Sequence, residues 1–211
     1  MHINVVKYLI KFGVDINKEN VVDGWTPLLY ACQEGHIDMV KYLIEHGADI
    51  NKESNNGNTA LKEAFYNENL NLIKYLVEHG LNINKENDSG FTPLFNACSE
   101  GHIPIVKYLV EHGADINKKN SMDGWTPLFN ACFYRHISVV KYLVELGADI
   151  NKVANDGINS LFCACNKGYT TIVTYLIEHG ADINNADNNG ITALCHACQN
   201  GHENIVIFSG T

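Results

Sequence analysis

Asp23-Gly24-Trp25-Thr26-Pro27-Leu28 opens the sequence unit that decides the fold, because closely similar units return along the chain at a fixed interval. The same unit continues through Ala31-Cys32, Gly35-His36-Ile37 and Val40-Lys41-Tyr42-Leu43 to Gly47-Ala48-Asp49-Ile50-Asn51. Successive units begin at turn glycines that are 33 or 34 residues apart: Gly24, Gly57, Gly90, Gly124, Gly157 and Gly190. A period of this length indicates a stack of repeated supersecondary units.

Each unit carries the signals of two short helices. Thr26 can cap a helix whose first residue is Pro27, where the missing N–H costs nothing and the fixed φ is already helical. Gly35 is suited to end that helix, because glycine accepts the left-handed conformation found just past a helix end. Residues 37–45 place their apolar side chains on one stripe and their charged side chains opposite, which predicts a second helix that ends at Gly47.

The segment 47–57 is too short for a third helix and is rich in turn formers, so we expect a finger between units. With its Thr26-Pro27-Leu28 opening, its Ala31-Cys32 and its period, the unit resembles the ankyrin repeat. The resemblance covers essentially the whole chain. It implies an all-α repeat fold, an ankyrin solenoid of stacked helix-turn-helix units with β-hairpin-like fingers, in which each unit buries its apolar face against its neighbours.

The turn glycines also give the domain organisation. We expect partial repeats at both ends and five complete repeats between them: 1–22, 23–55, 56–88, 89–122, 123–155, 156–188 and 189–211. The chain begins with the second helix of a unit, and residues 205–211 abandon the Val-Lys-Tyr-Leu pattern. Neither end has the polar outer face that usually closes a repeat array, so we expect either a fragment of a longer array or a gene model that stops early.

Composition narrows the function classes. The net charge of the 211 residues is −9, which argues against the basic surface that a nucleic-acid partner requires. No apolar run approaches the roughly 20 residues of a membrane span, and the first residues lack the basic and apolar regions of a signal peptide. Together with seven cysteines, an odd number, these features predict an intracellular, cytoplasmic protein with reduced thiols and no membrane insertion.

One group of thiol and imidazole side chains invites a metal interpretation. Cys195, Cys198 and His202 could share a helix face, but a structural zinc site needs four ligands. Most cysteines instead occupy one repeat position beside an alanine, where a small buried residue fits: Cys32, Cys98, Cys132, Cys165 and Cys198. Helices stacked roughly 9–10 Å apart exceed the reach of a disulfide. We therefore expect no disulfide along this row, no metal and no cofactor.

Histidine and asparagine also recur by repeat position, which indicates structural roles. His46 and its equivalents should interact with the carbonyl end of the second helix, and His36 and its equivalents should bond between adjacent loops. His196 departs from both series, but no nucleophile motif accompanies it, so we expect no enzyme activity. Asn51 and its equivalents resemble the ankyrin asparagines that accept β-hydroxylation. The alternative, which we favour, is that these asparagines build the turn.

Residues that depart from the repeat are the best candidates for function, because folding explains the residues that obey it. The resemblance implies that partners touch the finger tips and the concave side of the first helices. In Cys132-Phe133-Tyr134-Arg135-His136, two aromatics and an arginine replace small or polar residues and the usual glycine. Such residues dominate interface hot spots. The candidate partner-binding residues are Met122, Trp125, Phe133, Tyr134, Arg135, Phe91, Tyr66 and Trp25.

These observations favour a monomeric protein-interaction module, a scaffold or adaptor whose hot spot lies in the repeat 123–155. Two alternatives stay open at this point. The array could be the substrate- or regulator-binding part of a longer enzyme or signalling protein, or it could be a spacer that binds nothing. For Trp25 and Trp125, packing on neighbouring fingers is an alternative to binding.

Overall fold

A computed structural model describes residues 3–87 and 89–206, and it divides the chain into two compact units, Met1–Ser89 and Gly90–Thr211. Each of these two compact units spans several of the predicted repeats and consists of short helices joined by tight loops. The helices of the first unit are α1 (Ile3–Lys11), α2 (Pro27–Gln33), α3 (Ile37–Glu45), α4 (Ala60–Tyr66) and α5 (Leu70–Glu78). The ends of our first and last partial repeats, residues 1–2 and 207–211, lie outside the described residues.

The second unit continues the same alternation of a first and a second helix in each repeat. Its helices are α6 (Pro93–Glu100), α7 (Ile103–Glu111), α8 (Pro127–Phe133), α9 (Ile137–Glu145), α10 (Ser160–Lys167), α11 (Thr170–Glu178), α12 (Ala193–Gln199) and α13 (Glu203–Val206). Within this unit α8 packs against α6 and α10, and α10 packs against α12. The predicted all-α helix-turn-helix repeat fold is confirmed. The individual repeat boundaries stay predictions.

Local chemistry sets where the first helices begin and end, as the sequence predicts. The Thr26 hydroxyl accepts a hydrogen bond from the backbone N–H of Leu29 at 3.3 Å. A threonine or asparagine side chain does the same before the other first helices: Thr59, Thr92, Thr126, Asn159 and Thr192. Just past α2, Gly35 has the left-handed φ of 68° that ends the helix.

The core of each unit is a row of leucine, valine and aromatic side chains from one face of each helix. In α3, Val40 and Leu43 are buried while Lys41 and Glu45 are exposed, which confirms the predicted stripe. Fully buried leucines at equivalent positions of the first helices continue the row: Leu28 and Leu61 in the first unit, and Leu94, Leu128 and Leu161 in the second. Burial between neighbouring repeats is therefore the main source of stability.

The fingers are held by turns rather than by a sheet. Among the described residues there is no named strand, and two single antiparallel bridges join Glu53 to Thr59 and Ala186 to Thr192. Within each compact unit, an asparagine series joins the turns of neighbouring repeats. Asn151 donates to the carbonyl of Gly180 at 3.0 Å, and its Oδ1 accepts the N–H of Asp182 at 2.8 Å. These asparagines therefore join the turns of neighbouring repeats.

The two predicted histidine roles are visible in the structure. His46 Nδ1 lies 2.8 Å from the carbonyl oxygen of Tyr42, and His79, His112 and His179 repeat that contact. In the loop series, His136 hydrogen-bonds to the carbonyl of Ser99 at 2.8 Å and His202 to that of Asn166 at 3.0 Å. Both bonds join the loops of adjacent repeats within the second unit.

Candidate protein-interaction surface

An aromatic cluster, defined here as Trp125, Phe129, Phe133 and Tyr134, lies at α8, the first helix of the repeat 123–155. The Trp125 ring centroid is 4.5 Å from that of Phe129 and 5.2 Å from that of Phe133. Tyr134 meets Phe133 edge-on at 5.1 Å. Phe129 is buried, Trp125 and Phe133 are half-buried and Tyr134 is exposed. The cluster therefore has a packed base and a solvent-facing edge.

The finger before α8 fixes the Trp125 indole. The backbone N–H of Trp125 donates to Asn120 Oδ1 at 3.0 Å and to Asp123 Oδ1 at 3.2 Å. Asn120 is buried, and its own backbone N–H donates to the carbonyl of Trp125. These bonds close the turn, and they place the indole over the start of α8.

Beside the cluster an open apolar cavity of about 120 Å³ runs from α8 to α12. Its lining comes from three consecutive repeats of the second unit: Trp125, Phe129, Phe133, Ile158, Phe162, Cys163, Asn166, Lys167 and His196. The Lys167 ammonium lies 4.4 Å from the ring centroid of Phe133, at the edge of the cavity. An apolar hollow with a few polar groups at its edge is the usual form of a binding pocket.

Arg135 has an explanation in the fold. It occupies the left-handed loop position with a φ of 65°, where four other repeats have glycine and one has Glu68. Its guanidinium lies 5.4 Å from the ring centroid of Tyr169 in the next repeat. Tyr169 occupies the repeat position that is histidine in other repeats, as in His136 and His202. Arg135 therefore joins two repeats by a cation–π contact.

The other candidates of the second unit lie apart from the cavity lining. Met122 is exposed on its finger, and its carbonyl accepts a hydrogen bond from Asn155 at 3.3 Å. Phe91 is half-buried and stacks on Phe95, with ring centroids 4.8 Å apart and nearly parallel planes. The structure thus brings together Trp125, Phe133 and Tyr134, and it does not place Met122 or Phe91 in the cavity lining.

The first unit holds the two remaining candidates in different environments. Trp25 is buried and packs on Tyr30, with ring centroids 5.0 Å apart. This burial favours the packing alternative for Trp25. Tyr66 ends α4 and leaves 67% of its surface exposed, so its ring is free to meet a partner.

The comparison with protein families agrees with this architecture. The family model described as "Ankyrin repeats (3 copies)" matches the chain over residues 1–87, 82–154 and 151–208. The chain belongs to the ankyrin-repeat family. No curated protein matches it. Ankyrin repeats are generally protein–protein interaction modules, and they typically have no catalytic role.

Thiol chemistry in this ankyrin-repeat chain is limited by burial. Desolvation raises the pKa of Cys163, in the cavity wall, to about 12, so that thiol is neutral at physiological pH. Cys195 is exposed, and a hydrogen bond from the Thr192 hydroxyl lowers its pKa. Among the described residues, no group of three or more His, Cys, Asp and Glu side chains could hold a metal ion.

His196 lines the cavity as part of the ankyrin surface. Its ring meets the Phe162 ring edge-on at 5.7 Å, and its Nε2 lies 3.8 Å from Asp187 Oδ2. Backbone N–H donors, first that of Ile191, lower the pKa of Asp187, and the nearby His196 contributes. The Cys163 thiol of the same cavity lining is neutral at physiological pH, and the exposed Cys195 directly precedes His196 in the chain.

Sequence reasoning missed several residues of the ankyrin surface. Phe129 and Phe162 occupy one repeat position and form the cavity base, and Lys167 closes one edge. The recurrence of phenylalanine at this position, also in Phe95, was a usable signal. Tyr169 could have been found as the partner of Arg135, because both break the Gly-His pattern in adjacent repeats.

No helix of the described residues is long and apolar enough to cross a membrane.

Proposed function

We propose that the chain acts as a scaffold or adaptor that binds a partner protein through the first-helix surface, defined as α8, α10, α12 and the fingers that precede them. One observation carries the proposal: the aromatic cluster presents the exposed Tyr134 and the half-buried Phe133 beside an open apolar cavity. Folding of the repeat does not demand these aromatics, because four other repeats hold polar residues at both positions, and the fifth has one aromatic there, Tyr66. Exposed apolar patches on folded proteins usually mark interaction sites.

The chemistry of the cluster also suits a protein partner. Tyrosine and tryptophan supply large contact area at low conformational cost, and Tyr134 offers a hydroxyl at its outer end. The cavity lining is mainly apolar, with Lys167, Asn166 and His196 as its polar members. We propose that Phe133 and Tyr134 form the centre of the interface, with Trp125 as its packed base.

The test is partner capture with matched variants. Phe133→Ala and Tyr134→Ala should each weaken binding by about 2 kcal/mol, roughly a 30-fold loss in affinity. The control is Leu146→Ala, because Leu146 is 47% exposed, similar to the 50% of Tyr134, but follows a second helix. If the Tyr134 variant keeps every partner while the Leu146 variant loses them, the interface lies on the second helices and the proposal is wrong.

We also propose that the protein is a monomer inside the cell. Seven free cysteines support a reducing compartment, where thiols stay reduced. Light scattering after size-exclusion chromatography tests the monomer, and a mass of two chains would contradict it.

A further inference from the structure

We propose that the cavity beside the aromatic cluster receives one aliphatic side chain of the partner, and that Lys167 pairs with an acidic residue next to that side chain. This inference rests on the proposed function, because it specifies the chemistry of the partner at the same surface. The partner segment is thus a short stretch in which an aliphatic residue lies within about three positions of Asp or Glu.

The size of the cavity selects a single side chain. Its volume is about 120 Å³, slightly below the roughly 150 Å³ of an engineered apolar cavity that binds benzene. The walls are the faces of Trp125, Phe133 and Phe162 together with Ile158, and the Cys163 thiol among them is neutral. A leucine, isoleucine or valine side chain matches this volume and these apolar walls, whereas a charged group would lose its hydration there.

The charge around the cavity favours an acidic residue next to the aliphatic residue of the partner. Helices α8, α10 and α12 contain no Asp or Glu, and Lys167 is their one permanently charged side chain, in a chain with a net charge of −9. The carboxylates of the adjoining fingers are engaged locally. Asp156 accepts the N–H of Ile158 at 3.1 Å, and Asp187 accepts the N–H groups of Asn189 and Ile191 at 2.8 and 2.9 Å.

Lys167 can cover the Phe133 ring in the free chain and bind a carboxylate of the partner in the complex. Its ammonium covers the Phe133 ring at 4.4 Å, and its side chain is exposed. A cation–π contact at an exposed site is weak, whereas a hydrogen bond to a carboxylate is charge-assisted and stronger. When the ammonium turns to a partner carboxylate, it uncovers the face of Phe133 for the aliphatic side chain.

The probe is a phage-displayed library of random dodecapeptides, selected on the immobilised full chain. Enriched peptides are then made with a fluorescent label, and their affinity is measured by anisotropy. We expect the enriched peptides to share an aliphatic residue within about three positions of Asp or Glu. Lys167→Glu should weaken the affinity for these peptides at least tenfold. Replacing the Asp or Glu of the peptide by lysine should restore binding to that variant.

Two further variants make the test specific. Ile158→Trp fills the cavity with a residue that two sister repeats carry at this position, in Trp25 and Trp125, so the fold accepts it. It should weaken binding at least tenfold without lowering Tm. Lys141→Glu is the matched control, because Lys141 makes the same kind of contact with Tyr175, at 5.5 Å, from the second helix α9. It should leave the affinity within twofold.

The outcomes separate this inference from the proposed function. Peptides that lack the aliphatic and acidic pair, or that bind Ile158→Trp and Lys167→Glu as tightly as the unchanged chain, overturn the inference. If Tyr134→Ala still weakens those peptides, the first-helix surface remains the interface. Failure to enrich any peptide also overturns the inference, since the library displays the pair directly, and the capture experiment with Phe133 and Tyr134 variants then decides the proposed function alone.

Discussion

At the scale of single residues, the loop between the two helices of a repeat shows how neighbouring repeats fit together. A Cβ on Gly101, whose φ is 75°, would lie 2.3 Å from Nδ1 of His136, and that imidazole is held by its bond to Ser99. In the next repeat the loop residue is Arg135, and Tyr169 replaces the histidine that would cover it. The same junction between neighbouring repeats is thus formed by glycine with histidine in one place and by arginine with tyrosine in another.

Gly101→Ala should therefore be costly. The added methyl strains the left-handed backbone and displaces a hydrogen-bonded ring, which together should lower the free energy of unfolding by roughly 2–4 kcal/mol. Gly147→Ala is the control, because its φ is 85° but no atom lies within 4 Å of the added methyl, so about 1 kcal/mol is expected. Urea unfolding measures both variants. Equal losses of unfolding free energy in the two variants would show that backbone strain alone explains the glycine at position 101.

Arg135 allows the strain and the cation–π contact to be separated. Arg135→Ala keeps a side chain at a φ of 65° and loses the contact with Tyr169. Arg135→Gly loses the same contact but removes the strain, while it also gains freedom in the unfolded chain. We expect the glycine variant to be more stable than the alanine variant by about 0.5–1 kcal/mol, as measured by urea unfolding. The reverse order would mean that the loop relaxes around alanine.

At the scale of elements, equivalent helices differ in what covers them. Phe162 and Cys165 of α10 are buried, whereas Cys195 and Cys198, at the same positions of α12, are exposed. Desolvation raises the pKa of Cys165 to about 11 and that of Cys98 far above its ordinary value. The Thr192 hydroxyl, at the start of α12, lowers the pKa of Cys195 by donating a hydrogen bond to it.

We predict that a thiol-reactive dye at pH 7.5 labels two of the seven cysteines rapidly in the folded chain. Cys195 should react first, because its lowered pKa gives a larger thiolate fraction at that pH. The combined change of Cys195→Ser and Cys198→Ser should abolish the fast phase, whereas Cys165→Ser should leave it intact. Fast labelling of a third thiol would contradict the burial of the cysteine row.

Helix α4 contains a buried carboxyl group that should make stability depend on pH. Desolvation raises the pKa of Glu63, and Lys62 offsets this only partly. Because the folded pKa lies above the unfolded one, the stabilising protonated form is fully present below the unfolded value of about 4.3 and is lost as the pH rises through the folded pKa. Glu63→Gln should therefore raise Tm at pH 7 and have little effect at pH 4. An unchanged Tm at pH 7 would show that water reaches the carboxylate.

The sequence predicted the elements of this fold better than its contacts. Helix starts and ends follow from chemistry within a few residues, as at Thr26 and Gly35. The contact of Arg135 with Tyr169 joins residues 34 positions apart, and it becomes foreseeable only when adjacent repeats are compared as a pair. The cavity depends on side chains from three repeats, so the sequence named Phe133 and Tyr134 but not the space beside them.

At the scale of the whole molecule, stability in each unit should be graded along the stack of repeats. Stability in such arrays is a sum of repeat and interface terms, so an element with one covered face gains least. Helix α1 contains no buried residue, and it exposes 58% of Val5 and 51% of Leu9, while Phe12 just after it is 69% exposed. Helix α9 lies between α7 and α11 in the second unit and buries Val139, Val140 and Leu143 completely.

Amide hydrogen exchange should therefore be fastest in α1 and slow in α9, because local opening of α1 exposes little apolar surface that was hidden. Substitution should follow the same gradient. Leu143→Ala opens a core cavity and should cost roughly 2–5 kcal/mol, whereas Val5→Ala at an exposed site should change stability by only about 0.5 kcal/mol. Mass-spectrometric exchange read for each helix checks the first expectation, and urea unfolding checks the second. Protection of α1 equal to that of α9, together with a large loss on Val5→Ala, would show that the exposed face of α1 is covered in solution.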